Sequence, residues 1–279
     1  DQHSKDYSRL KDAMRPGHAD YTGHVKYDGY NDYRGGGHFS GRITAPLTFA
    51  GAIAKQILAK EGIVIGAHAL SVAGIMDFPF DPLGEEPDLF EKLSSMRLPV
   101  IDGEQGAAME EAILAAQKEG DSVGGQIECM ALGLPVGMGE PFFDSLESEM
   151  AHMAFSIPAV KSISFGDGET LAGMRGSEAN DPMRYENGKV KTITNHNGGV
   201  LGGISNGNPL RFTVTIKPTA SIGKRQETVD ISKKEDTMLS IGGRHDPCIV
   251  TRAIPVVENA AAFVLLALLL TGRRYHYGR

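Results

Sequence analysis

The stretch Arg15–Arg42 constrains the fold most, because it contains almost no aliphatic residues. It holds three histidines, three arginines, four tyrosines and seven glycines. Since no apolar residue recurs there with a period of 2 or 3.6, the stretch can form neither a half-buried strand nor a core helix. The hydrophobic core must therefore come from other parts of the chain.

Two interpretations of this stretch remain open. It is either a polar loop beside a sheet or a site for an anionic ligand. Residues 35–37 are consecutive glycines, which can aim several backbone N–H groups at one anion. His18 and His38 belong to the residue type that titrates near neutral pH, while Arg15 and Arg42 carry forked donors suited to carboxylate or phosphate.

Apolar periodicity predicts helices and strands in the rest of the chain. The predicted helices are 44–62, with Thr44 as cap and Pro46 in its first turn, Glu104–Lys118, Asp144–Phe155 capped by Asp144, and Val256–Leu270 started by Pro255. The predicted strands are Ile63–Ile75, Ser122–Leu134, Val160–Phe165 and Leu210–Ile216, and Asn187-Gly188 predicts a hairpin turn.

Residues 77–103 are rich in proline and acidic side chains, so we expect a surface insertion there. His68, within a predicted strand, is expected to be a partly buried histidine with satisfied hydrogen bonds. Asp246 and Pro247 precede the last helix. They fit a helix-entry turn, with Asp246 as cap, or a carboxylate at a functional site.

Composition excludes several classes of protein. The chain has 279 residues, 41% of them hydrophobic, and a net charge of −7, which argues against a nucleic-acid partner. Its two cysteines give neither a disulfide framework nor a metal site and fit a reducing, cytoplasmic compartment. The apolar run 260–270 is too short to span a membrane and predicts a buried helix. The chain opens without Met, like the middle of a protein.

A second glycine-rich stretch, Asn195–Gly207, lacks the spacing of a dinucleotide-binding or P-loop motif. A structural turn is the simpler interpretation. Lys217–Ser221 follows the clearest predicted strand, and a cation and two hydroxyls at a strand end suit phosphate binding.

Six blocks of the sequence stand in the order found in the chorismate synthase family: R-P-G-H-A-D, G-G-G-H-F-S-G-R, G-D-S-V-G-G, N-H-N-G-G-V-L-G-G-I-S-N-G, K-P-T-A-S and G-R-H-D-P-C. The chain resembles that family from its first residues to about Leu270. The implied fold is α/β in the broad α+β sense, a β-α-β sandwich of antiparallel-rich sheets with flanking helices.

The resemblance implies a lyase of the shikimate pathway, in aromatic amino acid biosynthesis. It would convert 5-enolpyruvylshikimate 3-phosphate to chorismate and phosphate by a 1,4-anti elimination that needs reduced FMN. A cytoplasmic homotetramer without a membrane partner is also implied, with NADPH only as an external reductant. The residues leave open whether this protein or an external flavin reductase reduces the flavin.

Site residues follow from the same blocks. His18 and Asp246 resemble the family's catalytic histidine and aspartate. Substrate anions would be held by Arg15, Arg42 and Arg244. The residues expected to bind the flavin are His38, Phe39, Ser40, Pro158, Ala159, Gly202, Lys217, Pro218, Thr219, Ala220, Ser221 and Arg244.

Some family features are absent from this sequence. Ile43 stands where relatives carry a carboxylate, and Pro158 where they often have Asn. The motif G-E-S-H-G does not occur, so we expect 1–279 to be a single domain lacking the family's N-terminal region and to be weakly active or inactive. The alternative is a non-catalytic oligomeric scaffold that binds FMN or phosphate.

Overall fold

A computed structural model describes residues 11–242 and 245–276. The helices are α1 Asp20–Lys26, α2 Ala45–Lys60, α3 Pro87–Ser94, α4 Gly103–Lys118, α5 Leu146–Ser156, α6 Gly176–Ala179 and α7 Val250–His276. The strands are β1 Val64–Val72, β2 Ile75–Met76, β3 Gly125–Leu132, β4 Val160–Phe165, β5 Met183–Glu186, β6 Lys189–Thr192, β7 Val200–Leu201, β8 Ile204–Ser205, β9 Leu210–Ile216, β10 Gln226–Asp230 and β11 Glu235–Leu239.

A five-stranded sheet with the strand order β2-β1-β3-β9-β4 forms the centre of the fold. All its neighbouring strands are antiparallel, and Cys129 of β3 pairs with Ala67 of β1 and with Phe212 of β9. The strands β5 and β6 form the predicted hairpin around Asn187 and Gly188, both with positive φ. Helices and antiparallel sheets are thus combined, which confirms the expected α+β class.

One face of the sheet carries the main core, because alternate residues of each strand point to the same side. Ile65, Ile127 and Phe212 lie on this face and are almost fully buried. The helices α2, α5 and α7 supply the other half of this core. Gly51 of α2 lies directly against the backbone of Asn259 in α7, where a side chain would not fit.

The opposite face contains a buried polar network. His68 lies between two carboxylates, with Nδ1 3.1 Å from Asp77 and Nε2 3.0 Å from Glu128. Arg211 of β9 pairs with Glu128 at 3.4 Å and with Asp167 at 2.6 Å. Burial opposes the charged imidazole, but the hydrogen bonds to both carboxylates outweigh it and raise the pKa of His68. The prediction of a satisfied histidine is confirmed, although His68 is completely buried.

Residues 77–103, the predicted surface insertion, cover this second face of the sheet. Phe80, Phe90 and Leu93 are buried with Met130 of the sheet in a second apolar cluster. Asp77 accepts hydrogen bonds from the backbone N–H groups of residues 101 and 102, at 2.6 and 2.9 Å, which closes the segment onto itself. Most of its proline and acidic residues are exposed, although Asp77 and Pro99 are buried. The composition therefore indicated the exposed part of the segment and not its buried apolar side chains.

Two predicted helix starts are wrong. Ser145, not Asp144, caps α5, because its Oγ accepts from the N–H of Ser148 at 3.0 Å. The last helix begins at Val250, with Pro255 inside it. Val250 and Ile254 are buried in the main core, and this burial offsets the roughly 3 kcal/mol that an internal proline costs a helix.

The helix α7 is long and apolar enough over Val250–Gly272 to cross a membrane by length and composition, with a mean hydropathy of 2.2 in its most apolar 18-residue window. However, 61% of its most apolar window is buried inside the fold. That is the behaviour of a core helix packed between α2, α5 and the sheet, and it agrees with the predicted buried helix.

Candidate functional site

A cavity of about 610 Å³ opens at one end of the sheet, where β9 and α5 end and α7 begins. Most of the predicted site residues line it: Arg15, His18, His38, Phe39, Ser40, Pro158, Ala159, Lys217, Pro218, Thr219, Ala220, Ser221 and Asp246. They come from five separate parts of the chain, and the fold brings them to one place.

The loop before α1 is fixed by a buried ion pair. Arg15 donates from Nε and from its NH2 group to the two carboxylate oxygens of Asp20, at 2.6 and 2.7 Å. The backbone N–H of Arg15 also donates to Asp20, at 3.1 Å. Burial alone would raise the pKa of Asp20, but Arg15 and His18 outweigh it and hold that pKa well below its usual range.

His18 lies beside this pair at the cavity wall. Its Nδ1 is 2.6 Å from Oδ1 of Asp20, although the ring N–H is not aligned with that oxygen as in a good hydrogen bond. Nε2 lies on the side of Gly36, whose φ of +87° suits glycine. His18 therefore has a carboxylate at one ring nitrogen, while Gly36 leaves space beside the other.

The segment after β9 forms the polar wall. Lys217 donates from Nζ to the carbonyl of Gly17 and from its backbone N–H to the carbonyl of Ala159, the latter at 3.0 Å. Ser221 accepts from Arg15 at 3.1 Å. Thr219 also lines the cavity, and its Oγ1 is buried with no hydrogen-bond partner among the described residues. A ligand oxygen or N–H group would satisfy it.

Residues 158 and 159 form the turn between α5 and β4. Ala159 has a φ of +74°, a conformation that is costly for any residue except glycine. Such strain persists only where the surroundings impose it and is often found at functional sites. Here the carbonyl of Ala159 accepts from the backbone of Lys217, which joins this turn to the polar wall.

Asp246 lies four residues before α7, which begins at Val250. It therefore does not cap that helix. Its carboxylate lies 3.2 Å from Nε of Arg252, with the side chains 26% and 81% exposed respectively. Sequence reasoning missed Arg252, which follows the G-R-H-D-P-C block as an ordinary helical residue. It adds a cation at the edge of the cavity.

Apolar side chains complete the wall, and sequence reasoning missed most of them: Ile43, Phe155, Ile157, Ile249 and Val256. Ile43 was noted only for the carboxylate that it replaces. Val256 was predicted only as the first residue of the last helix, and Ile249 directly precedes α7 without any sequence signal for a ligand.

Three predicted site residues are not among those that line the cavity. Arg42 is exposed and contacts Ser40 through its backbone N–H. Gly202 lies in the turn between β7 and β8, with a φ of +62°. Arg244 lies outside the described residues.

The fold and the cavity define a class of protein: an α+β domain in which a histidine–aspartate pair, a second aspartate and cations converge on an apolar pocket. That is the organisation of an enzyme acting on an anionic substrate. The sequence model of the family described as "Chorismate synthase" matches residues 1–270. The chain belongs to the chorismate synthase family and is a lyase of aromatic biosynthesis.

Relatives support this membership. Chorismate synthase from Dehalococcoides mccartyi (strain ATCC BAA-2266 / KCTC 15142 / 195) is 46% identical over 267 residues, covering 96% of this chain and 72% of the relative. Chorismate synthase from Thermococcus kodakarensis is 46% identical over 277 residues, covering 99% and 75%. A crystal structure of chorismate synthase superposes with a TM-score of 0.75 at 26% identity, covering 91% of this chain and 70% of that one.

Proposed function

We propose that the cavity binds reduced FMN together with 5-enolpyruvylshikimate 3-phosphate, and that its residues promote the elimination of phosphate to give chorismate. The observation that carries this proposal is the convergence of His18, Asp246 and residues 217–221 on one cavity in a chain of this family.

The residues present fit a flavin. A volume of about 610 Å³ lies within the roughly 300–1,000 Å³ of typical ligand pockets. Apolar side chains such as Phe39 and Ile249 suit the faces of a ring system, while Lys217 and the unpartnered hydroxyl of Thr219 suit phosphate oxygens. When bound, reduced flavin supplies an electron-rich ring beside the substrate, with no net redox change over the reaction.

The chain's own residues would handle protons and charge. His18 would take up a proton at Nε2, on the side of Gly36, and the carboxylate of Asp246 would receive a proton lost by the substrate. Lys217 and Arg252 are cations beside the cavity, where they would stabilise the charge that develops on the departing phosphate.

Arg15 receives a different role from the one expected. Its side chain is 6% exposed, and its guanidinium already donates to Asp20 and Ser221, so we propose that it supports the loop instead of binding substrate. Arg42 and Arg244 remain proposals for substrate contact, as Gly202 does for the flavin.

Family membership also motivates the finer expectations. We propose a cytoplasmic homotetramer in which NADPH is only an external source of reducing equivalents. Phe49, Phe142 and Phe143 have side chains 71%, 86% and 89% exposed in the single chain, which supports an interface between copies. Light scattering on the purified chain tests the oligomeric state.

The direct test is anaerobic release of phosphate from 5-enolpyruvylshikimate 3-phosphate with dithionite-reduced FMN. We expect weak turnover that depends on the reduced flavin, and loss of that turnover in Asp246→Asn. Flavin binding without turnover, in this chain and in a version extended by a relative's N-terminal region, would instead support the non-catalytic scaffold. The comparisons give that alternative no support.

A further inference from the structure

We propose that Asp20 is a positioning residue that fixes the tautomer and orientation of His18, with Arg15 holding Asp20 in place. The inference rests on the proposed role of His18 in the reaction. It assigns a function to a carboxylate that would otherwise only hold the loop before α1 in place.

The two oxygens of Asp20 have different surroundings. Oδ2 accepts from the backbone N–H of Arg15 at 3.1 Å and from its Nε at 2.6 Å. Oδ1 accepts from the NH2 group of Arg15 at 2.7 Å and lies 2.6 Å from Nδ1 of His18. Because every neighbour of this carboxylate is a donor or a ring nitrogen, Nδ1 is stabilised in its protonated form.

Protonation at Nδ1 determines what His18 offers a ligand. In the neutral ring Nε2 then carries a lone pair on the side of Gly36, and it becomes a donor only after taking up a proton. The ring N–H is not aligned with Oδ1, although Nδ1 and Oδ1 are 2.6 Å apart, so the proposed hydrogen bond includes a rotation of the imidazole about its side-chain bonds. Asp20 is 7% exposed and Arg15 also 7%, so water competes little with this arrangement.

A purely structural role for Asp20 makes different predictions. Asp20 would then only tie the loop to Arg15 and, through Arg15, to Ser221. Its loss would lower stability and leave the tautomer of His18 unchanged. The two roles can therefore be separated without measuring activity.

The variant Asp20→Asn distinguishes them through its amide orientation. An amide NH2 group at the Oδ2 position could not accept the two hydrogen bonds that Arg15 donates there. At the Oδ1 position only one hydrogen bond from Arg15 would be lost. The second orientation is favoured, and there the NH2 group donates to Nδ1 of His18. We therefore expect His18 to change from the Nδ1-protonated to the Nε2-protonated tautomer.

The measurement is ¹⁵N NMR of the histidine side chains in the full chain at a pH where His18 is neutral, with His18→Ala identifying the resonance. The matched control is Arg15→Lys, which weakens the loop but keeps the carboxylate. We expect wild type and Arg15→Lys to show the Nδ1-protonated ring, and Asp20→Asn the reverse.

The wild-type spectrum alone can overturn the proposal, because an Nε2-protonated ring of His18 would contradict it. This holds even if Asp20→Asn fails to fold. Equal tautomers in wild type and Asp20→Asn would also overturn it. In the turnover assay we expect Asp20→Asn to lower kcat by roughly 10²–10⁴-fold with little change in KM. Because the NMR result does not depend on turnover, failure of the proposed function and failure of this inference are distinguishable.

Discussion

Replacing Gly51 by Ala tests the close contact between α2 and α7, on which the main core depends. A Cβ atom at residue 51 would lie 2.1 Å from the carbonyl oxygen and 2.5 Å from the carbonyl carbon of Asn259. These are backbone atoms of a buried helix, so no side-chain rotation can relieve the clash. The helices must separate locally by roughly 1 Å to restore ordinary contact.

The expected cost follows from two opposing terms. Overpacking of this kind destabilises a core by roughly 1–3 kcal/mol, and backbone displacement places this case at the upper end. Ala is favoured over Gly inside a helix by about 1 kcal/mol, which offsets part of that cost. We expect Gly51→Ala to lower the free energy of unfolding by about 1–2 kcal/mol net.

Urea unfolding followed by circular dichroism measures this difference. The matched control is Gly103→Ala at the start of α4, where a Cβ would meet nothing within 4 Å. We expect that control to be neutral or slightly stabilising. If Gly51→Ala unfolds at the same urea concentration as Gly103→Ala, the close helix contact described here is wrong.

Three further predictions concern the site and the buried network. His18→Gln and Asp246→Asn should each reduce phosphate release by roughly 10²–10⁴-fold while the thermal midpoint stays near that of the wild type; unchanged turnover in both would remove these residues from the mechanism. Thr219→Val should weaken binding of FMN by roughly tenfold and leave the stability of the chain equal or higher, because it removes a buried hydroxyl without a partner among the described residues. A flavin titration measures the affinity, and a melting curve measures the stability. His68 has a raised pKa in the folded chain, so its stabilising effect is complete below about pH 6.5 and is lost as pH rises through the folded value. The gap in unfolding free energy between wild type and His68→Gln should therefore narrow at alkaline pH, and a gap that widened would contradict the assignment.

The sequence pattern predicted a helix or strand well where contacts between residues close in sequence determine its bounds. The alternation of Leu210–Ile216 gave β9 with the predicted bounds, and Val160–Phe165 did the same for β4. Helix starts were less predictable, because local preference alone predicts that Pro255 starts the last helix. Because Val250 and Ile254 are buried in the main core, the helix begins at Val250, before Pro255.

The sequence by itself determined the family, through six ordered blocks, and half of the residues that line the cavity. Only the tertiary structure decided what those residues do to one another. Arg15 donates a hydrogen bond to Ser221, which is 206 positions away in the sequence. Residues 77–103 cover one face of the sheet because Phe80 and Phe90 pack against Met130. Spacing along a chain reports contacts within a helix or a hairpin, whereas the partner of a buried charge depends on which distant segments the fold brings together.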